Sequence, residues 1–305
     1  MEIRLLGALE VVDEQGRRLE IPGAKERSLL VLLALRAGQP VSRDRLIEAL
    51  WPRTDPESAA RSFRVRMANL RRALGGEFVG RSGGGYALAV PAEQVDALCF
   101  ERLLGDGRAV EALALWRGEP LAGIEGDWAE GERRRLCDLH VEAREKSLAA
   151  RLEVGGGGEL VGQLQTLVVD EPLRERPREL LMRALYRAGR QADALEVYRQ
   201  TRSLFDSELG IEPSPQLREL ERSILTHDRG LAAPAQNRKR RWLLLAVPAI
   251  ILAAAAVSFA WSTRDRTPVY HAPANAAVRI DPRSGHVSKA TVVGRLPEGR
   301  RTRRR

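Results

Sequence analysis

RSFRVRMANLRRAL, residues Arg61–Leu74, is the stretch from which the rest of the chain can be read. Phe63, Met67, Leu70 and Leu74 recur at steps of four, three and four, the spacing of one apolar stripe on an α-helix. At about 100° per residue, Arg61, Val65, Ala68 and Arg72 fall on the opposite face, with Ser62, Arg64 and Asn69 on its flanks. Such a helix can bury one face in a core while the other offers guanidinium groups to phosphates and base edges. A solvated basic face fits this stretch equally well, so the neighbouring segments must decide.

Upstream, residues 3–21 read as short strands. Ile3, Leu5 and Leu9–Val12 supply apolar material, Asp13–Gly16 makes a turn, and Leu19–Ile21 returns. Ser28–Ala37 is apolar on nearly every side, which predicts a buried helix stopped by Gly38 and Pro40. Ser42 is an N-cap for a second helix over Arg43–Leu50, with Asp44 in its first turn. Asp55-Pro56 opens the long helix and Gly75-Gly76 ends it. Phe78–Val90 then forms two strand-like pieces around Ser82–Gly85, a β-hairpin with Tyr86 and Leu88 facing inward. Sheet, three helices and hairpin make a winged helix, in which the third helix enters the major groove and the hairpin lies against the backbone. Arg66 sits beside the core stripe and must snorkel outward to reach DNA. Val65 on an outward face suits contact with a thymine methyl. Trp51 fits the core, and Arg81 a solvated hairpin charge.

The 305 residues carry a formal net charge of +9, unevenly spread. Residues 1–95 hold 15 Lys+Arg against 12 Asp+Glu, and residues 96–237 hold 20 against 26. Most of the basic excess lies beyond residue 237, so the overall charge says little about nucleic acid. Within the first domain, however, residues 61–81 hold six Arg and one Glu. Cys99 and Cys137 have no partner at metal-ligand spacing and lie in apolar helical patterns, so buried, reduced thiols are expected. Gly155–Gly158 lacks the Lys and Ser/Thr of a phosphate-binding loop, no catalytic constellation is present, and neither enzyme activity nor a cofactor or metal is expected. There is no room before Ile3 for a phospho-acceptor domain, which argues for a one-component protein.

LIEALW (46–51), RSFRVRMANLRRALG (61–75) and GGGYAL (83–88) resemble the OmpR/PhoB-type effector domain. That resemblance implies base reading by Val65, Arg66 and Asn69, phosphate contacts by Arg61, Arg64, Arg71, Arg72 and Trp51, and wing contacts by Arg81 and Ser82. Residues 96–228 are helical throughout. Glu132–Leu152 is a long amphipathic helix with Leu136, Leu139, Leu148 and Leu152 in its stripe. Glu179–Ala188 and Ala192–Glu208, joined at Gly189, pair like tetratricopeptide helices, with Ala184, Ala188, Ala192 and Ala194 allowing close approach. VDALCFERLL (95–104) and residues 164–225, above all ELGIEPSPQLRELE, are similar to the bacterial transcriptional activation domain of SARP/AfsR-type regulators. The resemblance implies a transcriptional activator that contacts promoter DNA and RNA polymerase and acts as a homodimer.

Residues 229–241 form a linker ending in Arg-Lys-Arg-Arg, followed by twenty uncharged residues, 242–261, with tryptophan at each end. Twenty helical residues reach about 30 Å, the thickness of a hydrocarbon core, so a transmembrane helix is expected. Six Lys+Arg precede it within twenty residues and three follow, which places the N-terminal domains in the cytoplasm. The 262–305 tail is then extracytoplasmic. Its two strand-like runs around Pro282–Gly285 are similar to one unit of a β-propeller, and a lone hairpin is marginal by itself. The expected architecture is therefore mainly α: a winged helix (1–95), a tetratricopeptide-like domain (96–228) and one membrane span. A membrane-tethered adaptor using the helical repeats is the competing functional reading.

Overall fold

A computed structural model describes residues 1–155 and 157–228, together with the strands Ala276–Ile280 and Val287–Val292. The chain divides into two units, Met1–Gln236 and Asn237–Arg305. In the first, β1 (Glu2–Arg4) and β2 (Glu10–Val12) pair antiparallel. The return expected at Leu19–Ile21 is reduced to a bridge between Val12 and Arg18 and a bond from Leu19 N to Val11 O. Three helices follow: α1 (Ala24–Ala34), α2 (Arg43–Leu50) and α3 (Pro56–Leu74).

Local chemistry sets the ends of α2 and α3. Ser42 Oγ accepts from Arg45 N at 3.3 Å, and Asp55 Oδ2 accepts from Ser58 N at 3.1 Å, each satisfying an otherwise orphaned helix amide. Phe63, Met67, Leu70 and Leu74 are all buried, as their spacing predicts. Each contributes about 1.5–3 kcal/mol of gross burial, which holds the long helix in place against α1. That helix α1 starts at Ala24, four residues before the predicted Ser28, and so includes Lys25 and Glu26.

The hairpin is β4 (Val79–Ser82) and β5 (Gly85–Leu88), joined through Gly83 and Gly84, both at positive φ as a tight two-residue turn requires. A third strand, β3 (Val41–Ser42), was not expected; the sheet order is β3-β5-β4, with Ser42 opposite Gly85. A Cβ on Gly85 would overlap the carbonyl of Val41, so only glycine lets β3 lie this close. Gly85→Ala is expected to destabilise the first unit by about 1–3 kcal/mol, whereas Gly80→Ala, which has open space, should be near neutral. Urea unfolding of the two variants side by side measures this.

Helices continue as α4 (Asp96–Gly105), α5 (Ala109–Ala114), α6 (Asp127–Glu153), α7 (Val161–Asp170), α8 (Glu175–Arg187), α9 (Gln191–Leu209) and α10 (Pro215–Leu225). The boundary drawn at residue 95 is not a break in packing. One apolar core runs from Met1 through the winged helix and α4 to Leu136 and Ala143 of α6, and a second joins the rest of α6 to α7–α10. With 27 residues, α6 is about 40 Å long and spans both cores. Asp96, at the start of α4, ties the junction. Its carboxylate accepts from Leu5 N (2.5 Å), Leu6 N (3.1 Å) and Arg117 Nη2 (3.1 Å).

The α8–α9 pair turns at Gly189 as expected, but only Ala184 and Ala194 are buried between the helices; Ala188 and Ala192 lie exposed beside the turn. In the ELGIEPSP segment, Gly210 ends α9 in the left-handed conformation, and Ser214 caps α10 while donating its amide to Glu175 at 2.8 Å. Cys99 is half-buried and Cys137 is exposed, which corrects the expectation of two buried thiols: Cys137 lies on the solvent side of α6, one position after Leu136 of its apolar stripe.

In the second unit, β6 (Ala276–Ile280) and β7 (Val287–Val292) pair antiparallel with a register shift at Arg279/Ile280, so the two strand-like runs of the tail form a hairpin. The predicted membrane segment, 242–261, and the linker before it lie outside the described residues. Among the described residues no helix is long and apolar enough to cross a membrane.

Candidate nucleic-acid interface

The outward face of α3 is formed by Arg61, Arg64, Val65, Ala68 and Arg72, all exposed. Val65 is 53% exposed, an apolar side chain standing among cations with nothing covering it. None of Arg61, Arg64 and Arg72 has a carboxylate within ion-pairing distance among the described residues; Arg64 reaches only the Ala60 carbonyl, at 3.4 Å. The helical domain is the opposite. Most of its arginines are paired, as in Arg108–Glu111, Arg135–Glu132 and Arg202–Glu212. Solvent-exposed pairs contribute little stability, but they do neutralise the surface. The exposed face of α3 stays cationic because its acid, Glu57 in the first turn, is outnumbered by Arg61, Arg64 and Arg72.

Three predicted contacts turn out to be engaged elsewhere. Arg71 is half-buried and donates Nε to Val79 O at 2.9 Å, with its guanidinium 5.6 Å from the Tyr86 ring, so it fastens α3 to the hairpin. Arg66 and Asn69 both turn toward α1. Arg66 Nη1 and Asn69 Nδ2 donate to the same oxygen of Glu26, Oε1, at 3.1 and 3.0 Å. Burial pushes the Glu26 carboxyl up, but the hydrogen bonds from Asn69 and Arg66, together with the Arg66 charge, outweigh it and hold the group below its ordinary value.

Trp51, at the end of α2, is half-buried and packs edge-on against Phe63 with centroids 6.4 Å apart. Lys25 Nζ lies 5.7 Å from the Trp51 centroid and donates to Leu50 O at 2.6 Å, placing a cation at the C-terminus of α2. Trp51 is therefore a core edge with one side toward solvent.

At the hairpin, Arg81 and Ser82 are exposed, and Arg81 stands 5.9 Å from the face of Tyr86, its cross-strand partner. With Arg43 at the start of α2 they line a shallow recess of about 410 Å³, floored by Gly83–Tyr86. Sequence reasoning missed Arg43. Its signal was a basic residue just after the Ser42 cap, which becomes meaningful only once β3 pairs with β5 and brings the start of α2 beside the hairpin turn. Glu26 was missed as well, because the predicted helix began at Ser28.

A cationic helix face, a basic hairpin recess and an attached helical domain define the class: a winged-helix regulator joined to an activator-type domain. Residues 18–88 match the family described as "Transcriptional regulatory protein, C terminal", and residues 106–225 match "Bacterial transcriptional activator domain". The chain is 39% identical over 227 residues to the regulatory protein AfsR of Streptomyces griseus, covering 70% of this chain and 23% of that protein. It is 36% identical over 257 residues to the transcriptional regulator RedD of Streptomyces coelicolor, covering 77% and 73%. Among solved structures it is similar to Mycobacterium tuberculosis EmbR in complex with a low-affinity phosphopeptide. The TM-score there is 0.67 at 26% identity, over 94% of this chain and 76% of that one. The chain belongs to the SARP-type bacterial transcriptional regulators and spans about a quarter of the length of its AfsR relatives.

Proposed function

We propose that this chain binds promoter DNA as a homodimer, with α3 in the major groove and the hairpin on the backbone, and activates transcription through contact of its helical domain with RNA polymerase. The observation that carries the reading is the set of guanidinium groups on the exposed face of α3 that have no ion-pair partner among the described residues, beside a helical domain that pairs most of its arginines. Arg61, Arg64 and Arg72 hold phosphates; Arg43, Arg81 and Ser82 form the backbone contact at the wing; Val65 contacts a base edge. In the full chain, residues 242–261 anchor the protein in the cytoplasmic membrane with the N-terminal domains inside, so operator sites are found from the membrane surface.

Enrichment of duplexes from a randomised DNA library by the full chain tests the first part. A recurring pair of half-sites is the expected result, and enrichment no better than that of a variant with Arg61, Arg64 and Arg72 changed to Glu would overturn it. Membrane fractionation of the full chain beside residues 1–241 tests the anchor: only the full chain should sediment with membranes.

A further inference from the structure

The Glu26 site goes further than the docking face. Glu26 lies in the first turn of α1 with 2% of its surface exposed; its Oε1 accepts from two α3 side chains, while its Oε2 is buried without a side-chain or backbone partner among the described residues. Gly23 at φ +82° makes room for the other oxygen, since a Cβ there would overlap Glu26 Oε2. Arg66 keeps 45% of its side chain exposed while its Nη1 stays with the carboxylate. Moving that head to a phosphate would leave a buried carboxylate facing only the Asn69 amide, a costly exchange that Arg61 and Arg72 do not face. A carboxylate oxygen accepts hydrogen bonds, so Asn69 turns Nδ2 toward α1 and spends one of its two N–H donors there, which leaves Oδ1 to accept elsewhere.

We propose that Glu26 is a positioning residue of the DNA interface: it withholds Arg66 from the phosphates and presents Asn69 as a hydrogen-bond acceptor, toward a base bearing an exocyclic amine. This rests on the DNA-binding reading above. Two residues that helical periodicity places near the base row are thereby removed from it or restricted in it, and phosphate affinity is left to the other arginines. An acceptor at Asn69 pairs with adenine N6 or cytosine N4 in the major groove, and does not pair with thymine O4 or guanine O6.

The test uses the full chain and a duplex enriched by the wild type from a randomised library, with affinity measured over a salt series for wild type, Arg66→Gln, Glu26→Gln and the double variant. Wild type and Arg66→Gln should share one slope of log affinity against log salt. Glu26→Gln should steepen it by up to about 0.9, the increment of one added phosphate contact, and adding Arg66→Gln should restore it. A merely structural role for Glu26 would lower affinity at every salt concentration without steepening the slope. Two results overturn the proposal: a slope shallower by about 0.9 in Arg66→Gln alone, or an unchanged slope in a folded Glu26→Gln. If Glu26→Gln does not fold, the comparison of Arg66→Gln with wild type still decides. Absence of any enriched duplex with the wild type sinks the DNA-binding reading and this inference together, whereas an enriched duplex with a shallower Arg66→Gln slope sinks this inference alone.

Discussion

For a duplex that the wild type binds, the Arg61→Ala/Arg72→Ala variant is expected to show a salt slope shallower by about 1.8, because each lost phosphate contact removes about 0.9. Raising salt fourfold should then cost the variant roughly twelvefold less affinity than it costs the wild type. Both residues are exposed on one face of α3, and neither is ion-paired among the described residues, so stability should be nearly unchanged. Val65→Ser is the complementary variant. It leaves the charge intact and should shift base preference at one position of each half-site with the slope unaltered. A double variant that binds like wild type across the salt series would show that α3 does not dock as described.

The largest effect on stability is expected at Asp96. Its carboxylate serves two backbone amides, Leu5 and Leu6, both fully buried, as well as the Arg117 guanidinium. Asp96→Ala strands the two buried amides, while Arg117, part-exposed, keeps Glu10 at 3.6 Å; at about 1–3 kcal/mol for each unsatisfied buried donor, a loss of roughly 2–5 kcal/mol is expected from urea unfolding. Asp96→Asn keeps one acceptor and should cost less. Arg117→Ala should cost less again, because the Leu5 and Leu6 amides keep their partner. Since Asp96 joins the N-terminal strands to α4 inside one shared core, the transition should stay single and shift as a whole. A separate early transition for the winged helix would show that the two parts fold independently.

The features legible in the sequence are those whose causes are local. Ser42, Asp55 and Gly75 mark helix ends because a cap acts within three residues of itself. The stripe of Phe63, Met67, Leu70 and Leu74 is legible because a helix repeats on a fixed period, and that stripe settled which face of α3 is buried. The hairpin turn is legible because only glycine readily takes two successive positive φ values at Gly83 and Gly84. The start of α1 was misplaced because Gly23 provides no side-chain cap, so nothing local marks Ala24. For the same reason Glu26 went unnoticed: its partners are 40 and 43 residues away.

By itself, then, the sequence determined that α3 is a helix, that Arg61, Val65 and Arg72 share its outward face, and that a glycine-rich wing follows. These depend on helical periodicity and backbone sterics, which need no distant partner. Only the tertiary structure decided which of the basic and amide groups on that helix are free to act. Periodicity assigns a direction to each side chain, but its hydrogen-bond partner comes from whatever element packs alongside. For Arg66 and Asn69 that partner is the buried carboxylate of α1, and for Arg71 it is the hairpin backbone.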